Sequence, residues 1–220
     1  MNKLLPSLFV LFVTFVTAQT ATAQEVKGDA KAGEHKIAMC IGCHGIKGYQ
    51  ASFPEVYKVP MIAGQGAKYI VAALSAYQKG ERKHPTMRGI AESLTDQDIA
   101  DLGAYYEALG KPDAGPAPGK AEASGKAAEL LTKGACASCH GDSFTKPIDP
   151  TYPKIAGQHA DYLFVALKSY KTEGKALWGR SNAIMGGVAK QFSNAELKEL
   201  ANYMHSLPSE LHTVPQAKFK

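Results

Sequence analysis

Cys40-Ile41-Gly42-Cys43-His44 and Cys136-Ala137-Ser138-Cys139-His140 repeat one pattern, Cys-Xaa-Xaa-Cys-His, and together use all four cysteines of the 220-residue chain. Two thiols three positions apart on one turn can reach the two vinyl groups along one porphyrin edge and form thioethers. The His that follows is then directed at the iron, where imidazole is a strong axial ligand. The pattern predicts two covalently bound haems c, attached through Cys40 and Cys43 and through Cys136 and Cys139, with His44 and His140 as proximal iron ligands. A four-cysteine zinc site would have to join pairs separated by 92 residues (44 to 135), far beyond ribbon spacing. A thioredoxin-like dithiol would need a βαβ pattern around each pair, and neither reading accounts for the two His.

Residues 1–23 read as a secretory signal: Lys3 in a short basic start, an apolar run from Leu4 to Val16, and Ala21-Thr22-Ala23 as a small-residue cleavage site. The run is shorter than the roughly 20 residues that span a bilayer, so cleavage after Ala23 is expected rather than retention as an anchor. No Cys lies near that site to carry a lipid. Export to the periplasm is expected, and the resemblance of the two motifs to those of c-type cytochromes, whose haem is attached beyond the bacterial cytoplasmic membrane, implies the same compartment.

The remaining 197 residues suit two domains of about a hundred residues each. An internal repeat supports the division. Pro60-Met61-Ile62-Ala63-Gly64-Gln65 returns as Pro153-Lys154-Ile155-Ala156-Gly157-Gln158, and Tyr69, Ile70, Ala73, Leu74 and Tyr77 return as Tyr162, Leu163, Ala166, Leu167 and Tyr170, all offset by 93. Met87 to Thr95 matches Met185 to Ser193 at an offset of 98, which puts a five-residue insertion in the intervening loop. Lys111 to Gly119 is rich in Pro and Gly and reads as a linker, so the boundary is expected near residue 115, between domains 24–114 and 115–220.

Apolar spacing within each half is helical, as in the Tyr69 to Tyr77 stripe and in Ile99, Leu102, Tyr106 and Leu109, while strand-like alternation is scarce. An all-α fold follows, with these stripes as core and haem wall. Thr95 with Asp98 and Ser193 with Glu196 are start signals for the last helix of each half, and Asp29 is expected to open the helix leading into the first haem motif. Domains of this size bury a modest share of their surface, so a large apolar macrocycle would be a substantial part of each core.

The second axial ligand is Met, His or none. Met1 belongs to the signal, Met39 adjoins the first motif, Met61 aligns with Lys154 and Met204 with Tyr106; only Met87 and Met185 match each other. They follow their His by 43 and 45 residues, just before the last helix, and are the expected thioether ligands. His84 is a rival in the first half, but the aligned segment of the second half has no His. His35, His159, His205 and His212 lack counterparts and read as packed or solvated. The backbone carbonyls of Pro60 and Pro153 are candidates to fix the second ring nitrogen of each proximal His.

These residues resemble class I cytochromes c, and the tandem Pro-Xaa-Ile-Ala-Gly-Gln and Met segments resemble the dihaem cytochrome c4 family over nearly the whole mature chain. The resemblance implies two small helical domains, each wrapped around one haem with His and Met ligands, and a Pro carbonyl holding the proximal His. Those roles fall on His44, Met87 and Pro60, then on His140, Met185 and Pro153. The halves differ in having 15 residues between His44 and Pro60 but 12 between His140 and Pro153. The implied activity is outer-sphere electron transfer between a quinol-oxidising complex and a terminal oxidase or reductase, by an electron carrier rather than an enzyme. The alternatives are a dihaem enzyme of peroxidase or thiosulfate-oxidising type with one open haem, and a cytochrome subunit of a flavoprotein dehydrogenase.

Without the signal, the chain has 24 basic and 20 acidic residues. Residues 24–114 are balanced at 11 of each, and residues 115–220 carry 13 basic and 9 acidic groups. A cationic second domain suits transient docking on acidic redox partners, where charge speeds encounter. Lys79, Arg82, Lys83, His84 and Arg88 are expected to form a second basic contact near Met87. Nucleic acid is not an expected partner, and peripheral membrane association is left open.

Overall fold

The computed structural model describes residues 26–110, 122–172 and 174–215. The expected signal at 1–23 and the domain boundary near 115 lie outside the described residues. The first half runs α1 (Ala30–Glu34), α2 (Ala38–His44), β1 (Gln50–Ala51), β2 (Tyr57–Lys58), α3 (Ala67–Gln78), β3 (Arg82–Lys83), α4 (Pro85–Glu92) and α5 (Asp96–Leu109). The second repeats this plan with α6 (Gly125–Lys133), α7 (Ala137–His140), α8 (Ala160–Tyr170), β4 (Gly179–Arg180), α9 (Ala183–Lys190) and α10 (Asn194–Ser206). Strands among the described residues are two residues long, so the fold is all-α in substance. None of the described helices is long and apolar enough to cross a membrane.

The predicted stripes are core. Ile70, Leu74 and Tyr77 of α3 pack with Ile99, Leu102 and Tyr106 of α5, and Ile37 and Ile41 complete the cluster. In the second half Leu130, Phe192, Leu197 and Leu200 form one cluster, and Phe144, Leu163, Ala201 and Met204 another. Burying one such Leu or Ile side chain stabilises the fold by about 1.5–3 kcal/mol, so each stripe outweighs the helix propensity of its segment.

Both expected caps are full capping boxes. The Thr95 hydroxyl accepts the Asp98 N–H and the Asp98 carboxylate accepts the Thr95 N–H; Ser193 and Glu196 repeat the exchange at α10. Asp29 accepts from Lys31 and Ala32, but the helix it opens ends at Glu34. The first haem motif lies on the separate helix α2, so that expectation is corrected. A turn at His35 to Ile37 instead leaves Lys36 2.7 Å from Asp101 of α5, pinning the α1–α2 junction to the last helix of the half.

The halves pack face to face. Strands β3 and β4, one from each half, pair antiparallel with Arg82 opposite Arg180, and Ala63 bridges to His212. Glu55 meets Lys168 at 2.6 Å, and the Asp161 carboxylate accepts the Lys58 N–H at 3.0 Å. These exposed pairs contribute about 0–1 kcal/mol each, and serve mainly to set the register of the halves. The insertion located by the change in offset is the longer α8–β4 connection.

Candidate haem sites

Each Cys-Xaa-Xaa-Cys-His segment forms a helical turn, α2 or the Cys136-capped α7, that places both Cys and the His along one wall of a continuous cavity of about 680 Å³ lined from both halves. No disulfide joins any of the four cysteines, so both sulfurs of each pair are left for thioether bonds. Burial pushes the Cys40 and Cys136 thiols above their ordinary values. Among the described residues no three His, Cys, Asp or Glu side chains gather as a metal site, which removes the four-cysteine zinc reading.

Nδ1 of His44 lies 2.8 Å from the Pro60 carbonyl oxygen, and Nδ1 of His140 lies 3.0 Å from that of Pro153. With Nδ1–H donating to the carbonyl, Nε2 is left as the ligating nitrogen, and the shared bond makes the ring a better donor. Burial lowers both imidazole pKa values, against the opposing effect of the Pro carbonyl in each case. Neutral rings, the form a metal requires, follow.

The Pro segments are anchored by the Gly of each repeat. Gly64 donates its N–H to Tyr106 and Gly157 to Met204, the equivalent positions of the two last helices. Both glycines have positive φ, +84° and +67°, and a Cβ would collide with the Glu210 carbonyl at one and the Ser209 side chain at the other. Only Gly meets both conditions there.

Met87 and Met185 occupy equivalent places in the first turn of α4 and α9, and both line the cavity. His84 Nδ1 accepts the Met87 N–H at 3.4 Å, and Asn182 Oδ1 accepts the Met185 N–H at 2.9 Å. His84 is thus the helix cap whose counterpart is Asn, which explains why the second half lacks a His there. Gln78 further ties α3 to the Ala91 and Leu94 carbonyls, each at 2.9 Å, and Lys171, its equivalent, donates to Phe192 at 2.7 Å. His35, His159, His205 and His212 do not line the cavity.

The expected basic cluster around Met87 is not one exposed patch. Arg82 turns inward, donating to the Tyr69 hydroxyl at 3.1 Å and the Tyr162 hydroxyl at 2.7 Å, and Arg180 donates to Tyr162 at 3.2 Å. Lys83 donates to the Lys175 carbonyl and Arg88 pairs with Glu92, which leaves the cluster divided among internal contacts. Burial opposes ionisation of the Tyr162 phenol, yet the two guanidiniums bring it down to about 7. The Arg82 Nε is enclosed without a hydrogen-bond partner. This electropositive wall, the apolar surroundings, the paired cysteines and the His and Met side chains that line one cavity fit a haem with its acidic propionates. The arginines were missed as site residues, although Arg82 and Arg180 share the 98-residue offset of the two Met.

The cytochrome c family model matches residues 30–109 and again 124–208. Cytochrome c4 of Pseudomonas aeruginosa is 32% identical over 212 residues, covering 94% of this chain and all of that protein. The thiosulfate dehydrogenase electron acceptor of Stutzerimonas stutzeri is 30% identical, covering 84% of this chain and 86% of its own length. The crystal structure of reduced recombinant cytochrome c4 from Pseudomonas stutzeri superposes with a TM-score of 0.60 at 27% identity, over 82% of this chain and all of that one. The chain therefore belongs to the cytochrome c family, as a tandem-domain electron-transfer cytochrome of the c4 type with two covalently bound haems c.

Proposed function

We propose that this protein is a periplasmic electron carrier in which Cys40 and Cys43 attach one haem between His44 and Met87, and Cys136 and Cys139 attach the other between His140 and Met185. The observation that carries this reading is the equivalence of the two halves: each His donates to a Pro carbonyl and each Met N–H is capped by the residue three before it. When bound, each haem supplies a one-electron ferric/ferrous couple. Pro60 and Pro153 would orient the imidazoles, which burial keeps neutral, and the α4 and α9 caps would hold the Met87 and Met185 thioethers at the cavity. Ligands fixed in this way would stay in place as a bound iron changed oxidation state, which would keep reorganisation small. Leu74, Leu102 and their neighbours exclude water, and Met ligation raises the potential of both centres.

On this reading residues 1–23 are removed on export, and 24–114 and 115–220 are the two haem domains. The partners are a quinol-oxidising complex or another donor on one side and a terminal oxidase or reductase on the other. The relative named as an electron acceptor for thiosulfate dehydrogenase supports a carrier role beside such an enzyme rather than catalysis by this chain. Purified holoprotein should show no turnover with hydrogen peroxide or thiosulfate alone, yet exchange electrons with a donor dehydrogenase at a rate that changes with ionic strength. Turnover of either substrate by the protein itself would make it an enzyme.

A further inference from the structure

Gln65 and Gln158, the last residues of the two Pro-Xaa-Ile-Ala-Gly-Gln segments, are 3% and 4% exposed although both side chains are polar. Each reaches into the opposite half. Gln158 accepts the Met61 N–H at 3.0 Å and donates to the Met61 carbonyl at 2.8 Å. Gln65 accepts the Lys154 N–H at 2.9 Å and donates to the Lys154 carbonyl at 3.0 Å. Each Oε1 also accepts the backbone N–H of the next residue, at 3.0 Å in both cases, which fixes the amide orientation. Met61 and Lys154 directly follow the two Pro whose carbonyls hold His44 and His140. Both polar groups of each amide are thus spent on clamping the neighbouring peptide of the other half.

We infer that Gln65 and Gln158 are crossed positioning residues: Gln158 of the second half sets the strength of the Pro60–His44 bond at the first haem, and Gln65 of the first half sets the Pro153–His140 bond at the second. The inference rests on His44 and His140 being the proximal ligands. A clamped residue 61 or 154 restricts the rotation of the preceding peptide plane, and so keeps the Pro carbonyl on the Nδ1–H direction. With the clamp removed, the carbonyl swings more freely, the Nδ1–H bond weakens and the imidazole becomes a poorer donor. A poorer donor favours ferrous iron. The clamp also gives the two centres a mechanical link through backbone, since any shift of one Pro segment pulls on a side chain that starts beside the other.

The test uses full-length holoprotein with Gln158→Leu and Gln65→Leu, and follows each haem separately through its ferric methyl proton resonances, assigned with single-motif Cys→Ala variants. Gln158→Leu should raise the ferrous-to-ferric ratio of the haem at Cys40 and Cys43 roughly threefold at fixed poise, because it loosens the Pro60–His44 bond without removing it. It should also speed solvent exchange of the His44 Nδ1–H, leaving the haem at Cys136 and Cys139 unmoved. Gln65→Leu should give the mirror result. Glu55→Gln, which loosens the interface without touching either Pro segment, should move neither haem. A shift confined to the haem of the substituted half, equal shifts in both, or none would overturn the inference. Gln158→Glu keeps the acceptor half of the clamp and gives the same crossed comparison if the Leu variant yields little holoprotein. Loss of the low-spin signature of the first haem in His44→Gly tests the ligand assignment itself, independently of either Gln.

Discussion

His84 caps the helix that carries Met87, its Nδ1 accepting the Met87 backbone N–H at 3.4 Å; Asn182 caps the Met185 helix in the same way at 2.9 Å. Two different side chains thus perform one task at equivalent positions. The cap fixes the start of the helix, and the Met three residues on falls on the turn that lines the cavity.

The exchange predicts that His84→Asn keeps both haems six-coordinate, because Asn supplies the acceptor that the second half already uses. His84→Ala should cost about 1 kcal/mol of stability, the usual penalty for losing an N-cap. Chemical denaturation of the two holoproteins measures this. Loss of an axial ligand at the first haem in His84→Asn, with Met87 intact, would reassign the ligand to His84.

Met185→Ala should leave the haem attached at Cys136 and Cys139 while opening its iron to exogenous ligands such as imidazole or carbon monoxide. Met87→Ala should do the same at the first haem. An absorption spectrum of either variant identical to that of the parent protein, with and without added ligand, contradicts the corresponding Met assignment.

Replacing Cys40 and Cys43 together with Ala should halve covalent haem per chain, read by haem quantification after acid extraction of any unattached haem. The second motif lies on its own turn and keeps its own His–Pro bond, so its haem is retained. Full haem content in this variant would place attachment elsewhere.

Asp101 is buried on α5 and accepts from the Asp29 N–H at 2.8 Å, Gln97 at 2.8 Å and Lys36 at 2.7 Å. Burial favours the protonated acid, but Lys36 and the other donors prevail and hold the carboxyl below its usual value of 3.8. The folded-state value is depressed, so this stabilisation is complete above the unfolded value and is lost as pH falls through the folded one. Thermal stability of the first domain should therefore hold from pH 7 to about 5 and decline below about 4. Asp101→Asn should cost about 2–3 kcal/mol at neutral pH and flatten that acid limb. An unchanged acid limb in the variant would show that Asp101 does not govern it.

Much of the site could be read from sequence because covalent attachment imposes a local spacing. Cys40, Cys43 and His44 have to share one turn, and the second copy repeats the requirement. The repeat then singled out Met87 and Met185, and helical periodicity located Ile70, Leu74, Ile99 and Leu102 in the core. The contacts between the halves were not legible. Arg82 lies in a run of basic residues that resembles a solvated face, and its inward turn is held by Tyr69 of its own half together with Tyr162 of the other. Gln65 and Gln158 bind backbone groups, which any residue at 61 and 154 would offer, so no pattern in those partners marks the clamp. The break between α1 and α2 arises from a turn whose Lys36 is drawn to Asp101 and Asp98, carboxylates more than sixty positions away.

The most direct test of two closed haems is the absorption spectrum of the dithionite-reduced protein with and without carbon monoxide, normalised to covalent haem per chain. Two haems per chain and a spectrum that the gas leaves unchanged are the predicted result. Ready carbon monoxide binding at either haem would contradict Met ligation at that centre and replace the carrier with a protein that has an open iron.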